Sequence, residues 1–420
     1  MQLVFITQYY PPETGAAQNR IANLTARLAR AGHTVTVITA MPNYPRGQIF
    51  SEYQGSWFRD EEIGAVRVIR TWIYATRRTG LIPRLLTYFS FVVTCVFGAL
   101  FKIKSPDLVV VETPPLFLGL SGLFLSWFWR AKHVFNVSDL WPQSAVDLGI
   151  VRSKRIISLS TKLEEFIYKH SDLITGQTQG IVSNIADRVK TPVWLLTNGV
   201  ENIPCSMVDR GDVRRRLGFS QESFLVGYAG LHGLAQALDS VLAAAEKLSK
   251  WDGISFVFFG DGPTKADLEE FARRRQLANV FFFPPQPKIK MDEIMQCLDV
   301  SIVPLKRLDL FKGAIPSKLL ESMATGIPVI LAIDGEAKQI VKVSGGGICV
   351  TPEDPDELAE AVQFLAGRRD LCRSMGSKGR DFVTANYDLD TIAKRAEDTF
   401  ARLLPNQTVQ EPTQIVAHKN

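Results

Sequence analysis

Within residues 313–330, read GAIPSKLLESMATGIPVI, a hydroxyl, a cation and a carboxylate stand at Ser317, Lys318 and Glu321. Helical spacing brings these to one end of a short helix. Ser317 sits where an N-cap belongs, which leaves the first N–H groups of the helix directed at solvent or at an anion. Lys318 adds a mobile positive charge at that mouth. Glu321, one turn further in, is placed to accept hydrogen bonds from hydroxyls attached to the anion. Such a set holds a hydroxyl-bearing anion and stabilises negative charge that develops on it. The same residues also suit an ordinary capped helix, so the surrounding elements decide between the two.

Those elements alternate. Gly326 supplies a C′ stop, Pro328 prevents the helix from continuing, and Val329 to Leu331 reads as a buried strand. The same rhythm opens the chain: strand-like Leu3 to Ile6, a loop containing Glu13 and Gly15, helical periodicity through Ile21, Leu24 and Leu28, then strand-like Val35 to Ile38. This is a βαβ unit of a parallel sheet, and its first loop opens at the carboxyl edge, where such sheets bind ligands. The pattern runs to Val193 to Leu196, crosses Asn198-Gly-Val-Glu-Asn-Ile-Pro204, and restarts at Leu225 to Tyr228. The expected fold class is α/β, with two doubly wound parallel-sheet domains over 1–203 and 204–386 facing across a cleft. A helical pattern over 387–404 is expected to return to the first domain, and 405–420 to be a disordered tail.

At 420 residues the chain is long for one core. Hydrophobic residues make up 46% and charged residues 22%, a packed globular balance. The formal charge of +5 is small and no long basic run occurs, which argues against nucleic acid as a partner. Five cysteines, at 95, 205, 297, 349 and 372, form no C-x-x-C pair, and the histidines are dispersed. Both facts point to a reducing compartment and away from a metal site. The N-terminus enters a strand with no basic leader, so a cytoplasmic location is expected.

Two segments are unusually apolar. Leu85 to Phe101 is uncharged, with Arg77, Arg78 and Arg84 before it and Lys102 and Lys104 after it. As a helix it spans about 25 Å, short of a hydrocarbon core of about 30 Å. Leu116 to Trp129 is followed by Arg130 and Lys132. Both suit internal helices of a large sheet domain. They also suit an interfacial surface, with apolar side chains in one leaflet and flanking cations on anionic headgroups. The near absence of a polar stripe on the first segment favours the interfacial reading.

The ordered series Tyr10-Pro-Pro-Glu-x-Gly15, Pro42-Asn-Tyr-Pro45, Asp139-Leu-Trp-Pro142, Asn198-Gly-Val200, Tyr228-Ala-Gly230, Phe259-Gly-Asp-Gly-Pro263 and Pro316-Ser-Lys-Leu-Leu-Glu-Ser-Met-Ala-x-Gly-x-Pro-Val-Ile330 resembles glycosyltransferase family 4. The similarity is to its bacterial surface-polysaccharide branch, which includes L-fucosamine-transferase-like and colanic-acid enzymes. The resemblance implies a GT-B arrangement of two Rossmann-like domains, a nucleotide-sugar donor and retention of anomeric configuration. By matching position, Gly15 would let the first loop approach the donor diphosphate, and Glu321 would bind the ribose hydroxyls. Ser317, Lys318 and Leu319 would offer N–H groups and charge to the diphosphate, with Gly230 on the same donor side. Asp139 and Lys318 are the expected catalytic groups. Glu13, Arg20, His232 and Asn198 are further candidates.

The chain departs from the family pattern at three places. The first glutamate of its E-x7-E motif falls at Gly313. The Arg and Lys of many relatives are replaced by Gly230-Leu-His-Gly-Leu-Ala-Gln236, leaving His232, or Lys318, Lys312, Lys306 or Arg307, as the compensating cation. Ser138 stands where many relatives carry His. The resemblance implies transfer from a UDP-linked N-acetylated hexosamine or deoxyhexosamine to a polyprenyl-diphosphate-linked saccharide. The reaction would occur at the inner membrane face, with no obligatory metal or other cofactor. A nucleotide-sugar epimerase of the same fold and a non-catalytic sugar-nucleotide-binding subunit are the alternatives.

Overall fold

The computed structural model describes the chain except Thr14, Pro45, Arg46, Thr79, Arg152 and residues 148–150, 202–208 and 405–420. The expected tail, Cys205 and the end of the crossing segment at Pro204 lie outside the described residues. Two compact units result: Met1–Asn198 with the chain from Leu389 onward, and Gly199–Asp388.

The first unit contains β1 (Gln2–Ile6), α1 (Ala16–Arg30), β2 (Thr34–Ala40), β3 (Phe58–Ile63), β4 (Val66–Thr71), α2 (Leu81–Lys102), β5 (Leu108–Glu112), α3 (Leu118–Trp129), β6 (Lys132–Val137), α4 (Gln143–Asp147), α5 (Lys154–His170), β7 (Leu173–Gly176), α6 (Gln179–Ala186) and β8 (Val193–Leu195). The sheet order is β3-β4-β2-β1-β5-β6-β7-β8. β1, β5 and β6 are buried almost throughout because helices cover both faces of a parallel sheet, with Glu112, His133 and Asn136 as buried polar residues among apolar ones. Among the described residues the one antiparallel strand is β3, paired Phe58↔Thr71 through Ile63↔Val66. Its sequence, FRDEEI, is charged and largely exposed, which protects the sheet edge and hides the strand from an apolar-run reading.

The two apolar segments form α2 and α3. Phe91, Cys95 and Ala99 of α2 are buried in the core beneath the sheet. The opposite stripe, Ile82, Leu86, Phe89, Val93, Phe97 and Phe101, is exposed and equally apolar. Phe124, Trp127 and Phe128 of α3 are exposed as well, and α2 packs beside α3. The helix is long and apolar enough to cross a membrane by composition, at mean hydropathy 1.8. One face is nevertheless committed to the protein core.

The second unit contains α7 (Arg210–Arg216), β9 (Phe224–Ala229), α8 (Leu238–Lys247), β10 (Ile254–Phe259), α9 (Lys265–Arg274), β11 (Val280–Phe283), α10 (Lys288–Cys297), β12 (Val300–Pro304), α11 (Ser317–Ala324), β13 (Val329–Ala332), α12 (Glu336–Ser344), β14 (Gly347–Cys349), α13 (Pro355–Ala366) and α14 (Arg369–Tyr387). Its sheet, β11-β10-β9-β12-β13-β14, is entirely parallel. The order reverses between β9 and β12, which opens a crevice at their carboxyl ends. The last helix, α15 (Leu389–Ala401), belongs to the first unit. Ile392, Ala393, Ala396 and Phe400 enter that core, and Asp390 and Glu397 pair with Arg27 at 2.6 Å and His33 at 3.0 Å.

Candidate active site

α11 begins at the switch point of the second sheet. Its N-cap is Pro316, at φ −62° and ψ 135°, and the Ser317 hydroxyl makes no capping bond. Ser317 is therefore the first helical residue and not the cap, because proline already holds the extended conformation an N-cap needs. The Leu319 N–H donates to the Pro316 carbonyl at 3.0 Å, and the Leu319 side chain is fully buried. Leu319 thus packs and closes the first turn; its N–H is not offered to a ligand. At the other end Gly326, at φ +79°, is the C′ residue of a Schellman motif, with Gly326 N–H to Met323 O at 2.9 Å and Ile327 N–H to Ser322 O at 3.3 Å.

Lys318 is held, not mobile. Its Nζ donates to Tyr228 Oη at 2.7 Å and lies 4.3 Å from the centre of that ring. Tyr228 Oη in turn donates to the Leu231 carbonyl at 2.6 Å. Burial pushes the Lys318 amine down to about 8, with the Glu321 carboxylate opposing that shift. Glu321 is exposed on the helix surface three residues on. Gly230, at φ +138°, passes directly over the amine: a Cβ there would sit 2.9 Å from Lys318 Nζ. Only glycine meets both demands without strain.

His232 does not replace the missing cations. It is fully buried among Tyr228, Phe258 and Phe282, with ring centroids 5.8, 6.3 and 6.3 Å away. Burial pushes its pKa down to about 4, helped by Lys265, so it is neutral at pH 7. Gly260 and Gly262 exist for this packing, since a Cβ on either would collide with the Gly230 or His232 backbone. Lys312 is exposed and paired with Asp309 at 2.6 Å, and the Arg307 N–H donates to Glu353 at 2.7 Å. Gly313 closes a short 3-10 turn, and a Cβ there would meet nothing within 4 Å. No crowding excludes a larger side chain at that position.

In the first unit, Gly15 caps α1 and its carbonyl accepts from Asn19 N–H at 3.0 Å. Glu13 is a loop organiser. Its buried carboxylate accepts from the N–H groups of Tyr10 (3.2 Å), Asn43 (2.8 Å) and Tyr44 (2.8 Å), tying the loop after β1 to the loop after β2. Desolvation raises its pKa, those three bonds opposing. With its oxygens so engaged, Glu13 shapes the loop and does not reach outward.

Arg20 is likewise buried. It pairs with Glu112 and donates to Ser138 Oγ at 2.9 Å. The Gln177 amide, oriented with its oxygen toward Arg20, accepts from Nη2 at 3.0 Å and Nε at 3.2 Å. Glu112 also accepts from Asn136 and Ser138, and Thr175 donates to Asn136 Oδ1 at 2.6 Å. Arg20 is therefore no loose phosphate ligand at the helix mouth. It is the cation of a network spanning the carboxyl ends of β5, β6 and β7. Among the described residues, Arg20 Nη1 and Asn198 Oδ1 have no partner.

Asp139 follows β6 at the same edge. Part of the residue faces solvent, yet crowding of its carboxyl by surrounding protein raises its pKa, against hydrogen bonds from Ser144 and the Leu140 N–H. The adjoining cavity of about 10 Å³ is water-sized.

Two family models divide the chain between the units: "Glycosyl transferase 4-like domain" over residues 15–198 and "Glycosyl transferases group 1" over residues 209–382. The chain is a family 4, group 1 glycosyltransferase. This glycosyltransferase is 26% identical over 407 residues to the Escherichia coli K12 putative colanic acid biosynthesis glycosyl transferase WcaI, covering 94% of this chain and 98% of that one. The probable glycosyltransferase WbjE of Pseudomonas aeruginosa is 25% identical, with 68% and 72% covered. Among solved structures, sucrose-phosphate synthase from Thermosynechococcus elongatus superposes at TM-score 0.75 and 19% identity over 96% of this chain and 99% of that one. HepE from Anabaena, in complex with UDP, gives 0.72 and 16% over 96% and 100%. Each unit is a parallel-sheet α/β domain of the kind that GT-B glycosyltransferases carry in pairs.

Four polar residues of these sites escaped the sequence reading as contributors: Tyr228, Glu112, Asn136 and Gln177. Each stands at or just past the carboxyl end of a buried strand. A polar residue closing an apolar run was the available signal.

Proposed function

We propose that this glycosyltransferase transfers a sugar from a UDP-linked donor to a polyprenyl-diphosphate-linked saccharide, with retention, during synthesis of a bacterial surface polysaccharide. The observation that carries the reading is the α11 mouth: Lys318 fixed on Tyr228 beneath Gly230, with Glu321 exposed one turn on. A diphosphate seated there meets the positive helix end and the amine, and a ribose meets the carboxylate. As the sugar–phosphate bond breaks, negative charge grows on the diphosphate, where these groups are already aimed. They supply that stabilisation without an obligatory metal. Asp139 is the first-unit group assigned to the acceptor hydroxyl. HepE's structures with UDP and UDP-glucose and WcaI's colanic-acid assignment support the donor and pathway class. An N-acetylated hexosamine or deoxyhexosamine is the sugar we assign.

The exposed stripe of α2 and the aromatic residues of α3 support a peripheral seat on the inner membrane face. Arg77, Arg78, Arg84, Lys102 and Arg130 are all exposed around them, and an inserted aromatic or aliphatic side chain contributes about 1.5–3 kcal/mol. The test is a panel of UDP-sugars incubated with a short polyprenyl-diphosphate monosaccharide and read by mass spectrometry. A mass gain of one sugar on the acceptor is expected. No product from any donor sinks the transferase reading, and donor binding without transfer would match a site lacking the Gly313 acid.

A further inference from the structure

A cavity of about 440 Å³ opens in the second unit beside Leu298, Asp299, Ile327 and Pro328, the residues that lead into β12 and β13. That is the amino edge of the sheet, opposite the edge bearing Gly230 and Lys318. α7 contributes Arg210 and Arg214, and the first turn of α14 contributes Arg369 and Arg373. Arg214 and Asp299 form its floor, a buried pair at 2.7 Å. Arg214 spends its other donors on the carbonyls of Cys297 (2.9 Å), Gln221 (2.9 Å) and Ser223 (3.0 Å).

The rim differs. Arg210, Arg369 and Arg373 have side chains 46%, 38% and 69% exposed, and they share Asp299 and Asp370 as their acidic partners. Arg210 reaches Asp299 at 3.3 Å, Arg369 only at 4.0 Å, and Arg373 pairs with Asp370. Asp299 is already matched by Arg214, so the concave surface carries surplus positive charge. The positive end of the 19-residue α14 adds to it.

We propose that this cavity is a second anion site, binding a phosphorylated monosaccharide and coupled through α11 to the donor site. Guanidinium groups match phosphoryl oxygens in paired hydrogen bonds. Gln221, Gln296 and Thr325 line the same space, as sugar hydroxyls require. The volume lies within the usual range of small-molecule pockets, about 300–1,000 Å³. Thr325 and Gly326 also close the C-terminus of α11, whose eight residues form a rod about 12 Å long. Its far end carries Ser317 and Lys318, with Glu321 midway along it. A ligand that fixes one end biases the other, and the effect is reciprocal. The coupling rests on the donor reading; the binding does not.

Calorimetry on the full chain tests both, using glucose 6-phosphate, fructose 1,6-bisphosphate, inorganic phosphate and glucose, with and without saturating UDP. A phosphorylated sugar should bind with Kd below about 1 mM, and glucose should not. Arg369→Glu with Arg373→Glu should weaken it at least about tenfold, the loss expected for a charge-assisted hydrogen bond, with UDP affinity and melting temperature kept. If that double variant does not fold, Arg373→Ala on the exposed rim replaces it. Glu321→Ala should leave sugar-phosphate binding intact, so failure of the donor reading is seen separately. Absence of binding by every phosphorylated probe, displacement by UDP, or full affinity in the rim variant overturns the site. Binding that leaves UDP affinity unchanged overturns the coupling.

Discussion

The burial of Lys318 makes the pH dependence of donor binding a quantity. Its amine is lowered to about 8 by desolvation, with Glu321 opposing. His232 titrates near 4 and is neutral well before pH 7. A phosphate sheds its last proton near pH 6, about the value of phosphate monoesters. Between pH 7 and pH 9 Lys318 is therefore the member of this set that changes charge. Protonated Lys318 falls from roughly nine-tenths of molecules to roughly one-tenth across that interval. The diphosphate favours the charged amine, so affinity is full below pH 8 and is lost as pH rises through it. The Kd for UDP should rise about tenfold between pH 7 and pH 9, with uptake of about half a proton per UDP at pH 8. Titration calorimetry in buffers of different ionisation enthalpy reads both quantities. Lys318→Arg stays charged throughout and should flatten the profile. A wild-type Kd that is level from pH 7 to pH 9, with no proton uptake, would show that the amine does not face the diphosphate.

Glu321→Ala should raise the Kd for UDP about 10–100-fold, the range for a lost hydrogen bond to a charged group; its exposed position should leave the melting temperature unchanged, and equal affinity would remove it from the site. Changing Phe89, Val93 and Phe97 together to Glu should abolish flotation with vesicles rich in anionic lipid while leaving UDP binding intact. Wild-type protein that does not float would refute the membrane seat. Glu112→Gln leaves Arg20 buried beside a neutral partner and should cost about 3–5 kcal/mol in urea unfolding. A cost under about 1 kcal/mol would mean that the pair behaves like an exposed one.

The alternation of apolar strands with helical periodicity was legible to within a few residues, because a doubly wound sheet buries its strands on both faces and so makes them short, near-continuous apolar runs. β3 was not legible. A charged edge strand is specified by its partner β4 and by the turn at Gly64, and its own composition reads as loop. The unit boundary was also misplaced, at 203 instead of Asn198, since the second unit begins with a bridge from Val200 to Asp388 that depends on residues far apart in sequence.

The candidate site was legible as a set of positions and misread in its electrostatics. Ser317, Lys318, Glu321 and Gly230 do share one sheet edge. Yet the spacing of residues says nothing about desolvation, and desolvation decides which of them carries charge. His232 is one of five candidates to replace the missing cations, and burial among three aromatic rings makes it neutral. Lys318 reads as a mobile positive charge, and Tyr228, Gly230 and burial turn it into a fixed amine that is about half protonated at pH 8. Arg20 looked free, and Glu112 neutralises it from a strand 92 residues later. On the proposed reading, the donor edge depends on one partly desolvated amine and the positive end of α11. Its affinity for a diphosphate is consequently more sensitive to pH, and to whatever positions α11, than a site built on permanently charged arginines.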